Sequence, residues 1–509
     1  MTQERISISS SGLTINQFIK LVRYNKVIPE LCLEDELVRQ IEESRKIISN
    51  VLKSGKNIYG INTGFGKLVS EIISNEDLEK LQENLILSHA VGLGEKMDRE
   101  IIRGAMILLV NSLSKGKSGI QLKTLQLIIS LLNVDYIPVV PIFGSLGASG
   151  DLAPLAHIAL TILGRGYLQT PAGEILEGKK ALEDLSLQPV TLSAKEGLAL
   201  INGTHVMTSV MLLNVIDMEK LSKVADVNVA LTLEAVMGNC DPFDERVLSI
   251  RPYLGQLEMA KTVRNLVKSS KAVSNSKTIQ DAYAIRCSPQ VHGACRDTLS
   301  FIKQQITIEM NSVTDNPIIL DQINIKSAGL FHGEPVSMAA DFLSIAVAEL
   351  GSISERRMNR LIDPTLSNGL PAFLVNRPGL NSGFMIVQYT TAAIVSENRH
   401  LATPNVIDNI PVSANQEDHV SMGLHASLKC RKMIENLSLI LSAEIFALRQ
   451  ALEFRDKNLF STEISQIFKQ ISDQVPFVEE DREMSNDINR LKSKILSNEF
   501  QELIESLIK

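Results

Sequence analysis

Three consecutive residues, Ala148, Ser149 and Gly150, form the stretch in which backbone and side chain together could do chemistry. The amide nitrogen of the glycine can attack the carbonyl carbon of the alanine with loss of water. The serine can then lose its hydroxyl group to give an exocyclic methylidene. Glycine suits this attack because it lacks a Cβ and reaches backbone angles that are closed to other residues. The product would be an electrophile made from the backbone, with no external cofactor.

Two other interpretations of this stretch stay open from the residues alone. The first is a plain loop of small residues that leads into a helix. The second is a serine nucleophile, although the Gly-x-Ser-x-Gly elbow is absent because Asp151 stands where its last glycine would be. We expect Asp151 to cap a helix that begins at Leu152 and tolerates Pro154 in its first turn. The positive end of that helix dipole would favour an electron-accepting group beside it.

Three further polar positions stand in apolar surroundings. Tyr59 opens a loop punctuated by glycines, for which a plain turn is the alternative. His89 lies in a segment of helical character, where a lone histidine is usually a satisfied core or surface residue. Asn202 belongs to a polar tripeptide that interrupts an apolar segment. Because a buried amide needs hydrogen-bond partners, packing alone does not explain this asparagine.

A second group of candidates follows later in the chain. Tyr283 and Arg286 are three residues apart and share one face if their segment, which includes Gln280, is helical. The guanidinium could then hold a carboxylate through two hydrogen bonds. The alternative is a structural arginine that pairs with Asp281 or Asp297.

Phe331 and Glu417 lie in the last polar stretches. Phe331 precedes a His-Gly pair, and Glu417 lies in the polar segment 413–423. The alternative for both stretches is a solvated turn between helices. Glu417 could also cap a helix near Asp418 and His419.

Helical periodicity dominates the sequence and predicts a mainly α-helical fold. The charged segment 34–53 has apolar residues at helical spacing, whereas 171–188 resembles a strand-and-turn excursion. We predict an N-terminal helix-and-loop region over residues 1–200, which carries the Tyr59 loop and the cyclising loop. A long-helix bundle with charged C-terminal helices is predicted over residues 201–509. Its spacing of three and four is illustrated by Leu437, Leu441, Ile445, Leu448 and Leu452.

Composition argues against several classes of function. The chain of 509 residues has 51 Lys+Arg against 58 Asp+Glu, a net charge of −7 without a basic block, so no nucleic-acid partner is expected. The five cysteines form no Cys-x-x-Cys pair, so neither a metal site nor a disulfide framework is indicated. No signal peptide is apparent, and the uncharged stretches 197–216 and 378–396 contain polar groups that are costly in lipid. We therefore expect a cytoplasmic protein with no membrane partner.

These stretches, in matched order from Tyr59 to Gly423, resemble the aromatic amino acid lyase family and in particular its histidine-type members. The resemblance implies a long-helix bundle of the ammonia-lyase/fumarase-like type. It also implies a homotetramer whose active sites are built from three subunits. Its electrophile would be the methylidene-imidazolone (MIO) group formed autocatalytically from Ala148, Ser149 and Gly150. The implied reaction is non-oxidative removal of ammonia from L-histidine to give trans-urocanate, the first step of histidine degradation.

The resemblance also implies roles for individual residues. Tyr59 is the expected base, although the choice among Tyr59, Tyr283 and Glu417 stays open. Beside the ring and the substrate carboxylate the family pattern places Asn202 and Tyr283. For substrate binding it implies that Arg286 binds the substrate carboxylate, with Gln280 nearby. It also implies that His89 and Glu417 face the imidazole and that Phe331 lines the pocket.

Three positions depart from the family pattern. His205 stands where glutamine is expected, Leu330 where asparagine is expected and Tyr253 where histidine is expected. His205 and Leu330 could retune the pocket, so these departures bear on substrate identity and not on the reaction class. The competing hypotheses are a related MIO-dependent lyase or aminomutase for tyrosine or phenylalanine, and an inactive helical scaffold that serves in binding.

Overall fold

The computed structural model describes residues 4–24, 26–55, 57–64 and 66–508 and is mainly α-helical, as predicted. Four helices, at residues 205–236, 288–310, 334–362 and 423–453, are much longer than most of the others. The helices are α1 Ile15–Val22, α2 Asp35–Ser54, α3 Leu78–His89, α4 Arg99–Leu113, α5 Leu122–Asn133, α6 Leu152–Ile162, α7 Gly178–Asp184, α8 Glu196–Ile201, α9 His205–Val236, α10 Glu245–Leu248, α11 Leu254–Val267, α12 Lys271–Ser274, α13 Tyr283–Arg286, α14 Ser288–Met310, α15 Glu334–Ile362, α16 Met385–Leu401, α17 Gly423–Glu453, α18 Thr462–Ser472, α19 Ser485–Leu496 and α20 Asn498–Leu507.

The strands are short and form small separate sheets. They are β1 Arg5–Ile8, β2 Glu30–Leu33, β3 Leu93–Lys96, β4 Ile137–Pro138, β5 Pro141–Phe143, β6 Tyr167–Gln169, β7 Ile175–Glu177, β8 Ile318–Ile319 and β9 Ile325–Lys326. Strands β1 and β2 pair in parallel, whereas β3–β5, β4–β6–β7 and β8–β9 pair antiparallel. The predicted excursion at 171–188 corresponds to β7 and α7.

The chain divides into two compact units. Unit 1 comprises Met1–Leu213, Gln304–Ala340 and Pro404–Leu428, and unit 2 comprises Asn214–Lys303, Asp341–Thr403 and Lys429–Lys509. The predicted division between residues 1–200 and 201–509 stays a prediction about domain organisation.

Unit 1 contains the helix interruption that the polar tripeptide predicts. Helix α8 ends at Ile201 and α9 begins at His205, so residues 202–204 are non-helical between two buried apolar helices. Segments 311–317, before β8, and 413–422, before α17, are also non-helical.

Unit 2 has a polar network inside its helical core. Glu444 on α17 accepts hydrogen bonds from Arg357 Nε at 2.6 Å and from Asn228 Nδ2 at 2.9 Å. His292 bonds to Asp226 at 2.8 Å through Nδ1 and to Arg357 Nη1 at 3.2 Å through Nε2. Burial lowers the pKa of His292 despite the hydrogen bond to Asp226, so the imidazole is neutral. Around this network the predicted apolar positions of α17 are fully buried: Leu437, Leu441, Ile445, Leu448 and Leu452.

Three smaller features concern the C-terminal helices, the cysteines and helix α15. Helices α18–α20 are amphipathic: their apolar residues are buried and most of their charged residues lie outside, whereas Asp487 of α19 is buried. All five cysteines are free. Helix α15 is the one helix of the described residues that is long and apolar enough to cross a membrane, and 67% of its most apolar window is buried inside the protein, which is the pattern of a core helix.

The unit 2 network generates a stability prediction. Arg357→Met leaves the Glu444 carboxylate buried without its cation, so the free energy of unfolding should fall by about 3 to 5 kcal/mol in urea denaturation. Arg246→Met is the matched control, because its ion pair with Asp244 has an arginine that is 90% exposed. Equal losses in the two variants would contradict the importance of the buried pair.

Candidate active site

A cavity of about 1500 Å³ lies within unit 1 and collects most of the predicted site residues. It is bordered by the loop after α2, the end of α3, the start of α6, the break after α8 and the loops before α15 and α17. The predicted residues that line it are Tyr59, His89, Ala148, Ser149, Asn202, Phe331 and Glu417.

The tripeptide 148–150 is held by the backbone at the helix break. The carbonyl oxygen of Ser149 accepts a hydrogen bond from the Gly203 amide at 3.3 Å. In the amide orientation that gives both side-chain atoms a partner, Asn202 Nδ2 donates to the same carbonyl at 3.0 Å. Gly150 has φ +77°, and a Cβ on it would lie 2.0 Å from the Gly203 carbonyl oxygen. Only glycine therefore fits at position 150.

The side chain of Ser149 points to a carboxylate. Its Oγ donates to Glu417 Oε1 at 3.0 Å. The backbone of Glu417 pairs with that of Val412, and no helix begins before Gly423 in this segment, so the helix-cap alternative for Glu417 is wrong.

Asp151 departs from its predicted role. It stands before α6, but its carboxylate does not bond to that helix. Instead Oδ2 accepts from the amides of Val206 and Met207 at 2.9 Å each, and Oδ1 accepts from Ser145 Oγ at 2.9 Å. Asp151 therefore caps α9, whose first N–H groups lack partners within the helix. Burial raises the pKa of Asp151 to about 7, against the lowering effect of these three hydrogen bonds.

Tyr59 lies on the glycine loop with its phenol partly buried. Its Oη accepts a hydrogen bond from the Gly66 amide at 3.4 Å. Burial raises the pKa of Tyr59; the Gly66 bond opposes this, and the negative charges of Glu417 and Asp315 add to it. The residues of this chain thus favour the neutral phenol, and a base role would need a cation brought close to it.

His89 is fixed at the end of α3. Its Nδ1 lies 2.8 Å from the carbonyl oxygen of Leu85, which leaves Nε2 as the acceptor of the neutral ring. Burial lowers the pKa of His89, although the Leu85 bond and the charge of Glu417 oppose the shift. The neutral imidazole is therefore favoured in the cavity.

Gln280, Tyr283 and Arg286 belong to unit 2 and do not line this cavity. Tyr283 and Arg286 share a face of α13, as their spacing predicts, with the guanidinium carbon 5.7 Å from the centre of the tyrosine ring. Tyr283 is 74% exposed. The carboxylates of Asp281 and Asp297 accept backbone N–H groups, and no ion pair joins either to Arg286 within the described part of the chain.

Neither His205 nor Leu330 is among the described residues that line the cavity, and their influence on the pocket stays a prediction. Leu330 is 52% exposed, and His205 is buried at the start of α9. Both ring nitrogens of His205 lack a hydrogen-bond partner among the described residues. The third departure, Tyr253, is exposed in unit 2 and lies beside Arg251.

Sequence reasoning missed three side chains that line the cavity, His332, Glu334 and His419. Their potential ligand atoms lie within 4.8 Å of one another, and the two histidine rings stack at 5.6 Å. His332 Nε2 also lies 3.2 Å from the carbonyl oxygen of His419. The His-Gly pair after Phe331 was the available signal, but nothing in the sequence indicated its contact with the 413–423 segment. The expectation of no metal site stays a prediction.

The unpartnered His205 generates a pH prediction. Burial lowers its pKa from 6.5 to about 4, so below pH 6.5 the unfolded chain binds a proton that the folded chain refuses. Stability is then complete above pH 6.5 and is lost as the pH falls toward 4.

Between pH 7 and pH 4, the free energy of unfolding should therefore fall by about 3 kcal/mol less in His205→Gln than in wild type, as measured by urea denaturation, since each pKa unit is worth about 1.4 kcal/mol. His400→Gln, at an exposed position of α16, is the matched control. The prediction is refuted by parallel pH profiles for wild type and His205→Gln.

Comparison with known proteins gives one consistent result. Residues 13–473 match the model of the family described as aromatic amino acid lyase. The chain is 45% identical over 505 residues to the histidine ammonia-lyase of Caldanaerobacter subterraneus subsp. tengcongensis, which covers 99% of this chain and 98% of the relative. It is 44% identical to that of Alkaliphilus metalliredigens, with 99% of each chain covered.

Solved structures agree with these relatives. The histidine ammonia-lyase of Trypanosoma cruzi superposes with a TM-score of 0.92 at 37% identity, covering 99% of this chain and 96% of that one. The tyrosine aminomutase of Streptomyces globisporus superposes with a TM-score of 0.93 at 32% identity, covering 99% and 98%. From the family match and these full-length similarities, the chain belongs to the aromatic amino acid lyase family.

Proposed function

We propose that this protein is a histidine ammonia-lyase, which removes ammonia from L-histidine to give trans-urocanate in the cytoplasm as the first step of histidine degradation. The observation that carries the proposal is the contact of Ser149 Oγ with Glu417 Oε1 at 3.0 Å, in a cavity that His89 also lines. It brings the serine that would form the electrophile beside a carboxylate suited to an imidazole. The relatives named histidine ammonia-lyase support the same activity.

The electrophile in this proposal is the MIO group, built from Ala148, Ser149 and Gly150. A bond forms between the Gly150 nitrogen and the Ala148 carbonyl carbon, and the Ala148 oxygen leaves as water with the amide hydrogens of Gly150 and Ser149, which leaves a double bond from that carbon to the Ser149 nitrogen. The Ser149 hydroxyl and α-hydrogen then leave as a second water and form the methylidene. The residues fit such a ring: Ala148 is buried, and the backbone of Gly203 closes on Gly150 without room for a Cβ. When formed, the group supplies an electrophile that takes up the substrate amine and makes ammonia a better leaving group.

Two hydrogen-bond donors at the Ser149 carbonyl oxygen would act during the reaction. The Gly203 amide and the Asn202 side chain both point at this oxygen, and they would stabilise negative charge that develops on it. Fixed donors in a closed site cost no reorganisation during the reaction. The proposed base for the β-proton is Tyr59, which acts once a neighbouring cation lowers its pKa.

Recognition of the side chain rests on Glu417, His89 and Phe331. A carboxylate can accept a hydrogen bond from an imidazole N–H, and Phe331 adds an apolar wall. A phenyl ring would leave the carboxylate desolvated and unpaired. Sites built to hydrogen-bond a substrate reject analogues that lack the group by roughly 10⁴-fold.

Among the described residues, the cavity of one chain offers no lysine or arginine to bind the substrate carboxylate. Its described lining includes Glu71, Glu334, Glu417 and Asp418 but neither lysine nor arginine. A bound carboxylate would therefore meet four acidic side chains and, apart from histidines, no basic one. This supports the homotetramer with active sites shared by three subunits, in which neighbouring chains supply Arg286 with Gln280 and Tyr283. Arg286 would bind the carboxylate and also serve as the cation near Tyr59.

The second candidate is an MIO-dependent lyase or aminomutase for tyrosine or phenylalanine, favoured by the superposition on the tyrosine aminomutase. The tyrosine hydroxyl could donate to Glu417 if the pocket were long enough, so tyrosine is excluded less strongly than phenylalanine. The inactive scaffold is disfavoured because Tyr59, Asn202, Ala148 and Ser149 all line one cavity.

Ring formation predicts a change in mass. The intact mass of wild type should be below the sequence mass by two waters, about 36 Da, by this covalent chemistry. Ser149→Ala should keep the full sequence mass, remain folded by circular dichroism and lose turnover. Active wild type with unmodified mass would refute the ring.

Substrate choice is tested on Glu417. Wild type should turn over L-histidine in preference to L-phenylalanine by roughly 10⁴-fold. Glu417→Gln should lower kcat/KM for L-histidine about 10- to 150-fold, the effect of one charged hydrogen bond. Glu174→Gln, exposed in the β6–β7 turn, is the control for the exchange. A wild-type preference for tyrosine or phenylalanine would favour the second candidate.

A further inference from the structure

A fully buried ion pair lies in unit 1 and is not used by the chemistry above. Lys195 Nζ is 2.6 Å from Asp315 Oδ2, and the two side chains are 0% and 1% exposed. Lys195 precedes α8 with φ +77°, an unfavourable backbone conformation for a residue with a side chain. Burying two charges costs several kcal/mol per ion before their attraction is counted. Because its burial is so costly, this ion pair needs an explanation from the residues around it.

The hydrogen bonds of Asp315 lead to the cyclising tripeptide. Its Oδ1 accepts the amide N–H of Asn316 at 2.6 Å. The same amide lies 3.0 Å from Asn202 Oδ1, in the orientation in which Asn202 Nδ2 donates to the Ser149 carbonyl at 3.0 Å. The ion pair thus reaches the backbone of the tripeptide through one peptide group and one side-chain amide.

The position of Asn316 is fixed from its other side as well. Its Oδ1 accepts hydrogen bonds from Ser327 Oγ at 3.1 Å and from the Ala328 amide at 2.8 Å. With Asp315 on the backbone and these donors on the side chain, Asn316 has little freedom to move. Asn202 consequently meets a rigid partner rather than a mobile loop.

A second buried pair in unit 1 shows what a purely structural pair looks like. Arg103 and Asp135 approach to 2.9 Å, with side chains 3% and 8% exposed. The remaining hydrogen bonds of Arg103 go to the carbonyls of Leu21 and Leu132, in α1 and α5. This pair ties helices together and makes no hydrogen bond to the tripeptide or to Asn202 among the described contacts.

We propose that Lys195 and Asp315 are positioning residues for ring formation: they hold Asn316 and Asn202 so that the Ser149 carbonyl, and with it the Gly150 nitrogen, stays within reach of the Ala148 carbonyl. This inference rests on the proposed function, because it concerns the ring described there. Neither residue gains or loses a proton in the two dehydrations. Their effect is orientation, and small misplacements of reacting atoms cost about 100-fold in rate.

The test follows the maturation of newly made protein. Wild type, Asp315→Asn and Lys195→Met are produced by cell-free synthesis, and the loss of two waters is followed by intact mass against time. Arg103→Met and Asp135→Asn are the matched controls, and thermal unfolding reports the stability of every variant.

We expect Asp315→Asn and Lys195→Met to cyclise about 10- to 100-fold more slowly than wild type. The controls should lose stability but cyclise at the wild-type rate. If Lys195→Met does not fold, Asp315→Asn, which keeps shape and volume, decides the question. Folded Asp315→Asn that cyclises as fast as wild type overturns the positioning role, and so does equal slowing in the controls. Wild type that never loses two waters overturns the proposed function itself, which is a separate result.

Discussion

The candidate site depends on one backbone contact, between the tripeptide 148–150 and the interruption after α8. The Asp151 amide donates to the Gly203 carbonyl at 2.8 Å, and the Gly203 amide donates to the Ser149 carbonyl at 3.3 Å. Because α8 stops at Ile201, residues 202–204 present free backbone groups to this loop. The same interruption exposes the first N–H groups of α9, which the Asp151 carboxylate accepts. Loop, break and helix start therefore form a single hydrogen-bonded unit.

Much of this arrangement could be predicted from local sequence. Polar residues that interrupt apolar segments mark the loops around Asn202, Phe331 and Glu417, because a polar side chain buried in a packed helix would need hydrogen-bond partners. Helical spacing predicted the buried face of α17 and the pairing of Tyr283 with Arg286 on one face. These features depend on neighbours in the chain, so sequence patterns carry them.

What the sequence did not indicate depends on contacts between distant segments. Asp151 has the position of a cap for α6, yet the N–H groups it accepts belong to α9, which only the folded chain brings near. Nothing in the residues around Lys195 indicates that its side chain is buried, and its partner Asp315 lies far along the chain. His205 differs from the family pattern beside Asn202, which suggested a place in the pocket, but its ring packs toward Gly203 instead.

Two glycines that touch in this unit are constrained to different degrees. A methyl group on Gly203 would collide with the His205 ring and Thr314 Oγ1, each 2.5 Å away, and these are side chains that other mutations could shrink. A methyl group on Gly150 would collide with the carbonyl carbon and oxygen of residue 203, which every amino acid possesses. No second mutation at 203 can therefore rescue a substitution at 150. In evolutionary terms, compensatory epistasis with positions 205 and 314 could relieve the crowding at position 203, where the φ of +123° still favours glycine, whereas no such path relieves the crowding at position 150.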